Sequence, residues 1–170
     1  MRLELESLDN ESEFARVYQP NELSLEESDM QLIEPAEVRG RARRRGEQVE
    51  LAGSLSAKVE TLCARCLKPV AVPIATEFTE RFVAAVSWRS EEQHELASED
   101  LDLAVFDGQS IDLDQLMREE ILLATPSQVL CSEDCRGLCP TCGVDLNVKT
   151  CDCHSRQVDS RWEKLKDLRF

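Results

Sequence analysis

Between Val49 and Cys63, hydrophobic and polar residues alternate along the chain. Val49, Leu51, Gly53, Leu55, Ala57, Val59 and Thr61 fall on one face, and Glu50, Ser54, Ser56, Lys58 and Glu60 on the other. Successive side chains of a strand point to opposite faces, so this pattern predicts a half-buried antiparallel strand. After a short break it resumes, with Val70, Val72, Ile74, Phe78 and Phe82 opposed to Ala71, Ala75, Glu77, Thr79 and Arg81. The intervening Cys63-Ala64-Arg65-Cys66-Leu67-Lys68-Pro69 then reads as the turn of a β-hairpin. Ala36 to Glu47 predicts a third strand, in which Arg39, Arg41, Arg43 and Arg45 all point one way. Arg2 to Leu8 also alternates and predicts a short strand.

The rest of the chain is less regular. Residues 9–35 are acidic and weakly periodic, with Pro20 and Pro35 as breakers. They predict local contacts by Leu23, Leu25 and Met30 to Ile33 rather than a long element. Residues 87–109 hold seven acids and read as a loop, with Leu101 to Phe106 pairing briefly at a sheet edge. His94 in that loop has no orienting partner and reads as a solvated residue. A helix follows, with Asp112 as N-cap and Gln115 completing a capping box. Leu113, Leu116, Met117, Ile121 and Ala124 form its buried stripe, and Thr125-Pro126 ends it. The last ten residues predict a second short helix, capped by Asp159, with Trp162, Leu165 and Leu168 or Phe170 as its apolar side. Together these elements predict an α+β fold, an antiparallel sheet covered by one or two helices. Residues 1–130 form the sheet-plus-helix part and 131–170 a Cys-rich segment, integrated as one domain.

Eight cysteines add chemistry to this scaffold. Cys63 and Cys66 sit on the hairpin turn; after a gap of 64 residues come Cys131, Cys135, Cys139, Cys142, Cys151 and Cys153. Thiolates brought together by tight turns are the ligands of structural zinc, which takes four in a tetrahedron. Pro140 and Gly143 supply the turn chemistry around Cys139 and Cys142. The expected partition is two closed zinc sites. Cys139, Cys142, Cys151 and Cys153 make one, while Cys131 and Cys135 join Cys63 and Cys66 across the sheet in the other. His154 is an alternative ligand, and an iron–sulfur cluster, which also takes four thiolates, stays open as a reading. A disulfide framework needs an oxidising compartment. Met1 to Glu6 lacks the apolar run of an export signal, which predicts a cytoplasmic protein.

The net charge of −14 argues against general affinity for phosphate. Charge is unevenly placed, at −8 over residues 1–35, +4 over 36–69, −10 over 70–130 and zero over 131–170. The row Arg39, Arg41, Arg43 and Arg45 reads either as a solvated edge that blocks aggregation or as a face for RNA or a partner. Arg65 and Lys68 extend that face if they lie on its side. The sequence assembles no serine–histidine pair, no glycine-rich phosphate loop and no evident open metal position, which predicts a non-enzymatic protein.

The segment from Cys131 through Cys139-Pro-Thr-Cys142-Gly143 to Asn147, Cys151 and Cys153, followed by Asp159-Ser-Arg161-Trp162, resembles the C-terminal signature of the bacterial YceD family. Cys63-Ala-Arg-Cys66-Leu67 is similar to its central hairpin motif, and Ile111-Asp112-Leu113 with Glu119 to Leu123 and Pro126 to its helix. The resemblance covers residues 36–168. It implies a cytoplasmic role in the synthesis, processing or stability of 23S ribosomal RNA, with the large-subunit precursor as partner, through a basic ribosomal protein or the 23S RNA itself. Family members that lack most C-terminal cysteines yet keep the hairpin pair imply that the late cluster is an optional stabiliser. The other reading is a zinc-stabilised protein-interaction module without RNA contact.

Overall fold

The computed structural model describes residues 1–4, 10–25, 29–46, 48–86, 102–153 and 161. Its strands are β1 (Arg2–Glu4), β2 (Glu11–Tyr18), β3 (Met30–Arg45), β4 (Gln48–Leu62), β5 (Pro69–Ala84), β6 (Leu103–Phe106) and β7 (Ser110–Asp112). The one complete helix among the described residues is α1 (Leu113–Ala124). A five-stranded sheet runs in the order β2-β3-β4-β5-β6, and β1 pairs with β7 in a separate two-stranded sheet. The predicted hairpin is present, with β4 and β5 in register from Gln48 opposite Val83 to Leu62 opposite Pro69.

Alternation decides which face is buried. Val38 and Ala42 of β3, Leu51, Leu55 and Val59 of β4, and Ile74 and Phe78 of β5 join one core with Leu113, Leu116, Met117 and Ile121 of α1. The register aligns Phe14, Gly40, Gly53 and Phe78 in one row across four strands. A Cβ on Gly40 would meet the Phe14 ring at 2.6 Å, and one on Gly53 would meet the Phe78 ring at 2.9 Å. The two glycines therefore give the aromatic rings room to lie against the backbone of the central strands.

Several expectations need correction. Residues 9–35 hold a full strand, β2, whose Phe14 and Tyr18 are buried while Glu11 and Glu13 face solvent. Strand β3 begins at Met30 and runs through Pro35, because register shifts between Leu32 and Glu34 and between Glu34 and Glu37 interrupt the ladder at the proline. The sheet is mixed rather than antiparallel, since β6 lies parallel to β5. At α1, the Asp112 carboxylate accepts the N–H groups of Asp114 and Gln115 at 3.0 and 3.3 Å. The Gln115 side chain donates instead to Glu119, so the reciprocal half of the capping box is missing. The predicted second helix, with Asp159, Trp162, Leu165 and Leu168, lies outside the described residues, as do His94, His154 and the end of the first predicted strand.

Candidate metal centres

The hairpin tip is built to present two sulfurs. Cys63 closes the end of β4 with its N–H on the carbonyl of Lys68 at 2.8 Å, and the N–H of Leu67 returns to the carbonyl of Cys63 at 3.0 Å. Leu67 adopts a positive φ of 58°, the left-handed conformation that turns the chain between Cys66 and β5. The segment after α1 docks beside this tip. The N–H of Ala64 bonds the carbonyl of Val129 at 2.8 Å, and the N–H of Leu138 bonds that of Arg65 at 3.0 Å. Gly137 has φ +72°, and a Cβ there would lie 2.9 Å from the carbonyl oxygen of Arg65, so this crossing requires glycine.

This docking gathers the sulfurs of Cys63, Cys66, Cys131 and Cys135 within 4.8 Å of one another. Cys63 and Cys135 are 3.9 Å apart, and Cys66 and Cys131 3.5 Å. Four Zn–S bonds of about 2.3 Å in a tetrahedron put sulfurs about 3.8 Å apart, whereas a disulfide needs about 2.05 Å. The spacing fits a shared cation and not a bonded pair. Three of these cysteines are buried, with Cys131 at the exposed side.

The second group lies along the chain. Cys139, Cys142, Cys151 and Cys153 also bring their sulfurs within 4.8 Å of one another. The turn is closed by the N–H of Gly143 on the carbonyl of Cys139 at 2.9 Å, with Gly143 at φ +73°. The N–H of Thr141 points at Cys139 Sγ at 3.5 Å. Here Cys139 is buried, Cys151 partly so, and Cys142 and Cys153 are exposed.

Electrostatics divides each group in the same way. The Cys66 N–H aimed at Cys63 leads in holding that thiol down at about 6, and the N–H groups of Cys142 and Thr141 do the same for Cys139. Hydrogen bonds to the sulfurs of Cys66 and Cys135 hold the proton on Cys131 and push that thiol up to about 12, and one to the sulfur of Cys142 pushes Cys153 up to about 12. At Cys135 burial opposes ionisation, but the N–H groups of Gly137 and Asn147 win and lower the thiol. Backbone donors thus stabilise thiolate in each group, while the remaining protons are shared between neighbouring sulfurs. A cation at the centre takes the place of those shared protons. Both four-cysteine groups can hold a metal ion.

A family profile described as large ribosomal RNA subunit accumulation protein YceD matches residues 51–169, which include both cysteine groups. The chain belongs to the YceD family. It is 32% identical over 157 residues to the uncharacterized protein YlbN of Bacillus subtilis, covering 92% of this chain and 87% of that protein. An uncharacterized protein of Mycobacterium tuberculosis is 34% identical over 122 residues, covering 72% of this chain and 56% of the relative. The chloroplastic YCED homolog 1 of Arabidopsis thaliana, named a large ribosomal RNA subunit accumulation protein, is 32% identical over 59 residues, or 35% of this chain and 18% of that one. No solved structure matches this YceD chain.

The arginine row lies where alternation put it, on the sheet face opposite the core. It is not a bare cationic stripe. Arg39 pairs with Glu37 at 3.6 Å, while Arg41 and Arg43 share Glu11 of the neighbouring strand at 3.6 and 3.2 Å. Arg45 is exposed at the end of β3. Arg65 and Lys68 turn to the chain's own C-terminal segment. The Arg65 guanidinium donates to the carbonyls of Glu133 and Cys135 at 3.2 and 2.8 Å, and Lys68 pairs with Asp145 at 2.6 Å. Sequence reasoning missed Asn147, whose side-chain amide donates to Cys135 Sγ at 3.5 Å. Its place inside the family signature was the available signal. No described helix is long and apolar enough to cross a membrane.

Proposed function

We propose that this YceD-family chain is a non-enzymatic cytoplasmic factor that supports the synthesis, processing or stability of 23S ribosomal RNA during large-subunit assembly. The observation that carries this reading is the family match over residues 51–169, which takes in the hairpin tip, α1 and both cysteine groups. The two groups hold structural zinc, Cys63, Cys66, Cys131 and Cys135 in one and Cys139, Cys142, Cys151 and Cys153 in the other. A closed four-thiolate shell leaves no position for a reacting water, in keeping with a role without catalysis. Zinc at the first group ties the hairpin to the segment after α1, so residues 1–130 and 131–170 act as one unit. The contacts of Arg65 and Lys68 with that segment support this integration.

The partner we favour is a basic protein of the large-subunit precursor rather than naked RNA. The net charge of −14 repels phosphate, and Glu37 and Glu11 already occupy three of the four arginines that would meet it. Affinity purification of the tagged full chain, with identification of bound RNA and protein at several salt concentrations, tests the reading. Large-subunit proteins together with 23S precursors are the expected cargo. Recovery of neither would contradict the proposal, and 23S RNA without protein, lost steeply as salt rises, would replace the protein partner by RNA.

A further inference from the structure

We propose that Asn147 is a positioning residue that couples the two four-cysteine groups, so that metal bound at the second strengthens metal binding at the first. The inference rests on the metal reading of both groups and adds a relation between them. Residues 143–148 leave the second group at Cys142 and return to it at Cys151. They fold back on the segment 137–139: the N–H of Cys139 bonds the carbonyl of Val144 at 2.8 Å, and the N–H of Leu146 bonds that of Gly137 at 2.9 Å. The fold-back places Asn147 beside the first group. Its Oδ1 accepts the N–H of Arg136 at 2.8 Å, and its Nδ2 donates both to Asp145 at 2.7 Å and to Cys135 Sγ at 3.5 Å. The same loop grips the other half of the first group, because Asp145 pairs with Lys68, two residues after Cys66.

The stretch that orients a first-group sulfur is thus pinned at both ends by cysteines of the second group. Metal at the second group fixes those ends and holds the Asn147 amide in place. Without it the donor is free to leave Cys135. A side chain that orients a metal ligand typically changes metal affinity about 10–100-fold. Coupling between two binding equilibria is reciprocal, so metal at the first group must tighten the second by the same factor.

Cobalt(II) binding to the full chain, by chelator competition and thiolate-to-cobalt absorption, tests this. Cys142→Ser leaves the first group alone to bind and Cys63→Ser leaves the second. Where either fails to fold, Cys153→Ser or Cys131→Ser, both at exposed sulfurs, replaces it. The parent should bind two cobalt ions about 10–100-fold more tightly than the product of the two single-group affinities. Asn147→Asp keeps the acceptor for Arg136 but loses the donor to sulfur. It should bring that factor close to one and shift the charge-transfer band of the first group. A factor near one in the parent, or one that Asn147→Asp leaves intact, overturns the coupling while the metal sites stand. A parent that takes up no cobalt removes the metal reading and the coupling together.

Discussion

At the middle of the sheet, Gly53 faces Gly40 across β3 and β4, and a Cβ on Gly53 would lie 2.4 Å from the carbonyl oxygen of Arg39. No flexible side chain can yield there, because the obstacle is backbone. Gly53→Ala should destabilise the chain by about 1–3 kcal/mol, the usual cost of overpacking. Thermal unfolding should show this against Ser56→Ala on the solvent face, and equal melting temperatures for the two would contradict the packing described. Sequence pattern placed Gly53 on the buried face, yet the reason for glycine there required knowing that Phe78 and Gly40 flank it. A second residue-scale consequence concerns Glu120, a buried residue of α1. Burial first, then the charges of Glu80 and Glu119, raises its carboxyl above the ordinary range. The folded chain therefore holds this proton more tightly than the unfolded one. Stability falls as pH rises through the folded pKa, and the full cost is present at neutral pH. Glu120→Gln should melt above the parent at pH 7, and the gap should close as pH drops below the ordinary glutamate value of about 4.3. A gap that persists in acid would show that charge is not its cause.

Among the elements, those with strict alternation or a capped apolar stripe were legible in sequence. The β4–β5 hairpin and α1 depend on local pattern, and their buried positions follow it except at Val83 near the end of β5 and at Glu120 of α1. Strand β2 was not legible, because Arg16 and the acids around Phe14 blur its alternation and only pairing with β3 defines its inner face. The start of β3 was hidden by Pro35, which reads as a breaker until the register shifts beside it are known. The cysteine grouping could be anticipated from spacing alone, whereas the contacts of Arg65 with Cys135 and of Asp145 with Lys68 could not, since those partners are distant in sequence. The two groups should differ in mechanical importance. The first closes a gap of 64 residues between Cys66 and Cys131, the second only 8 between Cys142 and Cys151. Chain-entropy arguments for a cross-link give about 4 kcal/mol for the longer loop and about 2.5 for the shorter. Cys63→Ser should therefore lower the melting temperature of the metal-loaded chain more than Cys153→Ser, by roughly 3–6 °C for a chain of this size. The reverse order would show that the hairpin tip is not tied down through the first group.

For the whole molecule, the balance of charge decides what the open sheet face can meet. Arg39, Arg41 and Arg43 are engaged by Glu37 and Glu11, and exposed pairs of this kind are worth about 0–1 kcal/mol each. Changing Arg39, Arg41, Arg43 and Arg45 to Gln should thus leave the fold and metal content intact. Association with large-subunit material should also survive, with its salt dependence unchanged, if the partner is a basic protein. Lost binding and a flatter salt dependence would assign the contact to RNA instead, since each lost phosphate contact removes about one unit of slope. Neutralising Glu91, Glu92, Glu95 and Glu99 in the acidic stretch should weaken the protein contact. In the proposed arrangement two metal ions join the hairpin, the segment after α1 and the C-terminal cysteines into one body. Native mass spectrometry of the anaerobically purified chain, with elemental identification of the metal, measures this most directly. Two zinc ions per chain are expected, falling to one in Cys63→Ser; well under one zinc in the parent, or iron with sulfide in its place, would overturn the two-zinc reading.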